Sequence, residues 1–217
     1  MTRSWRLSVY DLALGAKPVT LPGQGYRFVY AAGAPVEGRS RGNYFKADQG
    51  DGFLIQGEVE LSGSATAWVW DADPAGSAPI QVDSLSLVLS RRFELPEGEQ
   101  RLIRADRVQS HSGAETPRHG HRGPGIRRLL YGRLLAEVGE GYDRIEAGQP
   151  WFETGHDPVV GTNIHTGDSA FVRVMVLPVE LQGGKSSFVP TTPEDATKPR
   201  AVTYRLFGEQ LEGNRAS

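Results

Sequence analysis

The chain reads as an all-β protein assembled from two like halves, and three observations predict this. Its 27 glycines and 14 prolines are spread along 217 residues and punctuate short apolar runs, as turns punctuate strands. The runs between them are rich in Val, Tyr, Phe and Trp or alternate polar with apolar residues, which suits a half-buried pleated surface. A pattern in the first half also recurs in the second. Phe53-Leu54-Ile55-Gln56-Gly57-Glu58-Val59-Glu60-Leu61 matches Arg128-Leu129-Leu130-Tyr131-Gly132-Arg133-Leu134-Leu135-Ala136, with the glycine in register.

Taken in order, the predicted strands of the first half are Arg6–Asp11, Tyr26–Ala31, Gly52–Leu61, Ala67–Asp71, Ser84–Phe93 and Arg101–Gln109. Those of the second are Arg127–Val138, Tyr142–Ala147, Trp151–Glu153, Val159–His165, Ala170–Leu177 and Ala201–Phe207. Arg127–Val138 carries leucines at helical spacing, but Gly132 interrupts it and the matching earlier run is strand-like, so it is assigned as a strand. Both halves then reach an apolar strand, Leu85-Ser86-Leu87-Val88-Leu89 in one and Phe171-Val172-Arg173-Val174-Met175 in the other. A repeat of this length implies two like β units, residues 1–105 and 106–217. The competing account is a chance likeness of two amphipathic strands that each contain a glycine.

Composition narrows the function classes. Hydrophobic residues at 38% against charged residues at 23% support a packed core. A net charge of -2 gives no footprint for nucleic acid, and the basic run Arg118 to Arg128 is interleaved with histidine and glycine instead of aromatics. Cysteine is absent, which removes disulfides, thiolate metal sites and a cysteine nucleophile. No apolar run of secretory-signal or membrane-spanning length occurs, so the expected setting is cytoplasmic, without a membrane partner. Gly184-Lys185-Ser186 ends like a phosphate loop, but Val179 stands where the earlier glycine is required.

All five histidines fall between His111 and His165. In His119-Gly120-His121 the two imidazoles are two residues apart, so on a strand they share a face and can converge on one ion. Imidazole suits zinc, iron, copper or nickel, and a carboxylate partner extends the list to manganese. Alone, such a pair reads more readily as a surface pair. It is followed, however, by Arg122-Gly123-Pro124-Gly125 and an apolar strand closing on Tyr131-Gly132.

In these residues the sequence resembles the cupin superfamily. His119, His121, Pro124 and Gly132 match its first motif; Gly148 and the turn His165-Thr166-Gly167-Asp168 match its second. The resemblance covers Glu115–Leu177 and, through the repeat, extends loosely to Arg39–Leu89. It implies a duplicated cupin-type β-barrel (double-stranded β-helix or jelly roll) with a metal and a substrate inside.

The departures carry information. The motif's glutamate falls on Gly125 and its later histidine on Gly161, while His165 stands where asparagine is usual. On the resemblance, the missing donors come from elsewhere or are replaced by water, and Glu153 and His156, in the segment leading into the second motif, are the best candidates. His165 is a further choice, or else a rim histidine bonded to backbone, and His111 is a loop residue. Counted from Gly57, the first-half equivalents of His119 and His121 are Tyr44 and Lys46, which are not usual ligands. The first half is then a metal-free scaffold, lid or surface for a homodimer, and the chain binds one divalent ion (Fe, Zn, Mn or Ni).

Arg127 shares strand parity with the two histidines, so it points into the same space and meets a substrate carboxylate, unless a bulge after Gly125 turns it to solvent. Trp151 either lines a substrate pocket or is core, and His165 is a substrate-binding candidate at the rim. The implied function is a metal-dependent enzyme of dioxygenase type acting on a small organic acid or diketone-like substrate. A sugar isomerase or epimerase, and a non-catalytic protein that binds or senses a small effector, are the alternatives.

Overall fold

In the computed structural model, which describes residues 1–213, antiparallel strands make up nearly all of the regular structure. The chain divides into two units: Met1–Ile103 together with the described residues from Phe207 onward, and Arg104–Leu206. The division falls between Ile103 and Arg104, and the described residues from Phe207 onward belong with the first unit. There the Phe207 ring meets Phe28 at 5.3 Å and Tyr30 at 5.8 Å, and the Gly213 N–H donates to the Tyr26 hydroxyl.

The first unit contains β1 (Thr2–Ala13), β2 (Val19–Leu21), β3 (Tyr26–Tyr30), β4 (Val36–Ser40), β5 (Asn43–Ala47), β6 (Gly52–Gln56), β7 (Val59–Gly63), β8 (Thr66–Asp73) and β9 (Leu85–Pro96). They form a five-stranded sheet in the order β6-β3-β8-β1-β9 and a four-stranded sheet in the order β2-β7-β4-β5. Side chains alternate as the pleat requires; β4 buries Val36, Gly38 and Ser40 and exposes Glu37 and Arg39. Tyr10, Leu12, Val29, Ile55 and Val69 from one sheet pack on Leu21, Val36, Val59 and Leu61 from the other. Each fully buried side chain of this kind contributes roughly 1.5–3 kcal/mol.

The strands that follow are β10 (Arg101–Ser110), β11 (His119–His121), β12 (Gly125–Tyr131), β13 (Arg133–Val138), β14 (Gly141–Glu146), β15 (Pro150–Glu153), β16 (Val159–Asn163), β17 (Ser169–Pro178), β18 (Phe188–Pro190) and β19 (Val202–Leu211). A 3-10 turn at Val179–Leu181 and a short helix, α1 (Pro193–Thr197), connect the last of them. Their sheets run β15-β12-β17-β10-β19 and β14-β13-β16-β11-β18. No helix among the described residues is long and apolar enough to cross a membrane.

The two sheet orders correspond strand for strand, β1 to β10 through β8 to β17, with β18 added at one edge, so the duplication is real. Its register differs from the one read in the sequence. By position in the sheets, β6 and β7 with Gly57 between them correspond to β15 and β16, whereas Gly132 lies between β12 and β13. Likewise Leu85–Leu89 falls in β9, while Phe171–Met175 falls in β17, whose counterpart is β8. The strand equivalent to His119-Gly120-His121 is therefore Val19-Thr20-Leu21, not the Tyr44 and Lys46 segment. Its Leu21 is fully buried in hydrocarbon, and none of its three side chains is a metal donor of the imidazole or carboxylate kind.

The expected long strands Gly52–Leu61 and Arg127–Val138 each break at their glycine, where the chain leaves one sheet for the other. Gly132 has a φ of 85°, and a Cβ there would lie 2.7 Å from the Cα of Ser169. Gly148 has a similar φ of 84° but open space around it. Gly132→Ala is therefore expected to cost more than the roughly 1–3 kcal/mol of a left-handed non-glycine residue, and Gly148→Ala to stay within it. Urea denaturation of the two variants measures the difference; equal losses would show that the corner relaxes around Ser169.

Candidate functional site

The second unit has a cavity between its sheets, with about 60 Å³ of internal free volume. Leu134, Ala136, Trp151, Val159 and Phe171 form an apolar wall, and His119, His121, Arg127, Glu153 and Arg173 form a polar end. All five of these polar residues are buried. Several buried ionisable groups at one end of an apolar pocket mark a candidate for ligand chemistry.

β11 brings the histidines together. Their ring centroids lie 4.8 Å apart, edge to face, and His119 also stacks on Phe188 at 4.4 Å. His119 Nδ1 is 2.7 Å from the carbonyl oxygen of Pro117. A carbonyl only accepts, so Nδ1 carries the proton and Nε2 is left as the ring's acceptor. Burial pushes the His119 pKa down, and pushes that of His121 down to about 3, so both rings are neutral near pH 7. His121 Nε2 stands 3.3 Å from Glu153 Oε2, and its Nδ1 stands 3.3 Å from Ser187 Oγ. Facing an ionised carboxylate, Nε2 holds the proton and Nδ1 accepts from Ser187.

Glu153 faces a glycine across the sheet. On the β12–β15 ladder it lies directly opposite Gly125, the position where the cupin motif has its glutamate. A Cβ on Gly125 would meet Val174 O at 2.7 Å and Met175 Cγ at 2.8 Å, so no larger residue fits there without a shift. Glu153 Oε2 pairs with Arg127 Nη2 at 2.5 Å, and Oε1 accepts from the Trp151 indole N–H at 2.9 Å. Arg127 Nη1 also donates to the Gly125 carbonyl at 2.7 Å. Burial opposes a charge on Glu153, but Arg127 first, then His121 and Trp151, hold its carboxyl well below the usual range. Burial pulls Arg127 down to about 10, still cationic at neutral pH.

Arg127 points inward, as strand parity predicts. A bulge does occur in β12, but at Leu129–Tyr131, beyond Arg127. Its carboxylate partner is Glu153 of the same unit, so no substrate carboxylate is needed to offset its burial. Trp151 packs edge-on against Phe171 at 5.1 Å and lines the cavity. The structure does not bring His156 or His165 into this cluster. His156 is exposed in the loop after β15, where its backbone N–H donates to Thr154 Oγ1. His165 is exposed in a turn organised by the buried Asn163, whose side chain bonds Ser110 O, Gly167 O, the His165 N–H and Ser169 Oγ.

Two residues of the site were not foreseen. Arg173 lies directly across from Arg127 on β17 and is bound by Asp106 through two contacts of 2.6 and 3.1 Å. Opposed arginines would repel, and Glu153 and Asp106 supply one carboxylate for each. An arginine in the middle of an apolar strand was the available signal.

No family model and no curated protein matches this sequence. Solved structures do match the fold. AerE from Microcystis aeruginosa gives a TM-score of 0.56 at 14% identity, covering 81% of this chain and 88% of its own. A cupin 2 conserved barrel domain protein from Leptotrichia buccalis gives 0.51 at 14% identity, covering 81% and 89%. A deletion mutant of the Bacillus subtilis oxalate decarboxylase OxdC gives 0.60 at 9% identity, covering 89% and 73%. The fold is that of the cupins.

A cupin barrel with two inward histidines raises the question of a metal. Among the described residues, no three histidine, aspartate or glutamate side chains are assembled to hold one. The expected set fails at two places. His156 lies on the surface, and the Glu153 oxygen nearest His121 is already held by a buried guanidinium. Two imidazoles beside a carboxylate that Arg127 already neutralises do not fit a resident divalent ion.

Proposed function

We propose that the second cupin unit is a recognition site for a small organic molecule, buried between its sheets and worked by side chains instead of a resident metal. The observation that carries this is the placement of His119, His121, Arg127, Glu153 and Arg173 at one end of an otherwise apolar cavity. The apolar body of the ligand packs on Trp151, Phe171 and Leu134. Its polar end presents a hydroxyl, enol or acid proton to His119, whose Nε2 is the ring's acceptor. The two buried ion pairs keep the site electrically balanced, so the ligand need not bring a charge of its own.

Gly161 gives a test that spares the polar groups. It lines the cavity, and a Cβ there would meet nothing nearer than Thr116 Oγ1 at 3.8 Å. Gly161→Leu is expected to fill the cavity, to change stability by no more than about 1–2 kcal/mol, and to weaken ligand binding at least about tenfold. A thermal-shift and calorimetry screen of small organic acids, diketones and sugars finds the ligand. A ligand that binds wild type and Gly161→Leu equally well sits elsewhere and defeats the proposal.

A second reading has one observation in its favour. Glu153 stands across from Gly125 and so returns a carboxylate to the place where the cupin motif carries one. On that reading a divalent ion (Fe, Zn, Mn or Ni) held by His119, His121 and Glu153 would supply oxygen-binding or Lewis-acid chemistry of dioxygenase type. Elemental analysis of protein purified without a histidine tag separates the readings, since one ion per chain, lost in His119→Ala, would establish the second.

A further inference from the structure

We propose that Arg127 is an internal cation standing in the place of a divalent ion, and that removing its guanidinium uncovers a metal site made by His119, His121 and Glu153. This rests on the metal-free reading of the cavity. Three observations lead to it. First, the guanidinium and His121 compete for one atom: Glu153 Oε2 is 2.5 Å from Arg127 Nη2 and 3.3 Å from His121 Nε2. Two donors at about 2.1 Å from one tetrahedral ion lie about 3.4 Å apart, so the imidazole and the carboxylate already have a coordination-like separation.

Second, the histidines are prepared as donors. The hydrogen bond from His119 Nδ1 to Pro117 O leaves Nε2 with its lone pair, and a backbone carbonyl is a usual anchor for a metal-binding imidazole. His121 can shift its proton to Nδ1, because the Ser187 hydroxyl beside it can accept as well as donate. Third, Gly125 contributes no side chain, and a Cβ there would lie 3.1 Å from Arg127 Nη1, so the glycine leaves the room that the guanidinium occupies beside Glu153.

A dication and a buried guanidinium cannot share that oxygen. Water screens their repulsion poorly inside the barrel, and Arg127 has no shorter route to another carboxylate, since Asp106 is held by both contacts to Arg173. Arginine therefore neutralises Glu153 permanently, as an ion would when bound. The unit keeps the cupin histidine pair while excluding the metal.

Cobalt(II) is the probe, because its visible bands report histidine and carboxylate ligation. Protein without a histidine tag is stripped with chelator and titrated. Wild type is expected to take up no stoichiometric cobalt at micromolar concentration. Arg127→Met is expected to bind one ion per chain at least about 100-fold more tightly, and adding His119→Ala or Glu153→Gln should abolish the gain. Arg127→Gln provides a second, more polar variant if the methionine form does not fold. Stoichiometric uptake by wild type that His119→Ala abolishes would overturn the proposal, and so would folded Arg127 variants that gain no affinity. If neither variant folds, the wild-type titration still decides between uptake and exclusion. A failed small-molecule screen on metal-free wild type would instead count against the ligand reading, so the two failures are distinguishable.

Discussion

Glu153→Ala is expected to destabilise the second unit by about 3–5 kcal/mol, the cost of leaving a buried charge without its partner. Arg127 is the charge left behind. It is fully buried and donates its second contact to a backbone carbonyl, which cannot neutralise it. The Trp151 indole N–H loses its acceptor in the same variant, adding roughly 1–3 kcal/mol of unsatisfied donor. A fall in Tm of the order of 10 °C follows for a chain of this size. Glu153→Gln keeps an acceptor for Trp151 and should lose less.

The double variant Arg127→Met/Glu153→Leu gives the more discriminating result. Replacing both members of a buried ion pair by apolar groups is often close to neutral, so the double variant should be more stable than Glu153→Ala alone. The coupling between the two positions should be at least about 2 kcal/mol, since they touch at 2.5 Å and both side chains are buried. Additive losses would mean that the pair is open to water and that the cavity's polar end is not sealed.

These expectations rest on residues whose legibility differed. The all-β class and the duplication were readable because strand periodicity and glycine placement are local properties, set by φ and by the pleat. The register of the duplication was not. Gly57 and Gly132 are both corners between sheets, so they look alike in sequence while standing at different corners of their units. Misplacing them shifted the expected counterpart of the histidines from Val19-Thr20-Leu21 to Tyr44 and Lys46. In the site, His119 and His121 were legible because i and i+2 spacing on a strand determines a shared face. Glu153 was placed near them through the cupin resemblance. Its engagement with Arg127 depends on the cross-strand neighbour Gly125, a relation that spacing along the chain does not encode. His156 is three residues from Glu153, but Gly155, with a φ of 91°, turns the chain out of the strand between them and leaves it outside.

Acid is expected to weaken the fold earlier than carboxylate titration alone would allow. His121 is pushed by burial from an ordinary value of 6.5 down to about 3, and burial lowers His119 as well. Between those values the unfolded chain binds protons that the folded protein does not, so stability falls as the pH falls through that window. The slope approaches about 1.4 kcal/mol per pH unit for each fully titrating group. Glu153 acts in the same sense at lower pH. Burial resists its charge, yet Arg127 holds its carboxyl below the ordinary 4.5, so its contribution is present above that value and is lost as the pH falls below it. A urea-midpoint profile should therefore show a shoulder beginning near pH 6.5 and steepening below pH 4.5. In a His119→Asn/His121→Asn variant the shoulder should disappear while the steeper acid limb remains, because the Glu153–Arg127 pair is intact. A wild-type profile that is flat from pH 7 to pH 5 would mean that the two imidazoles reach water, and with it the sealed polar end on which the site's chemistry depends would be lost.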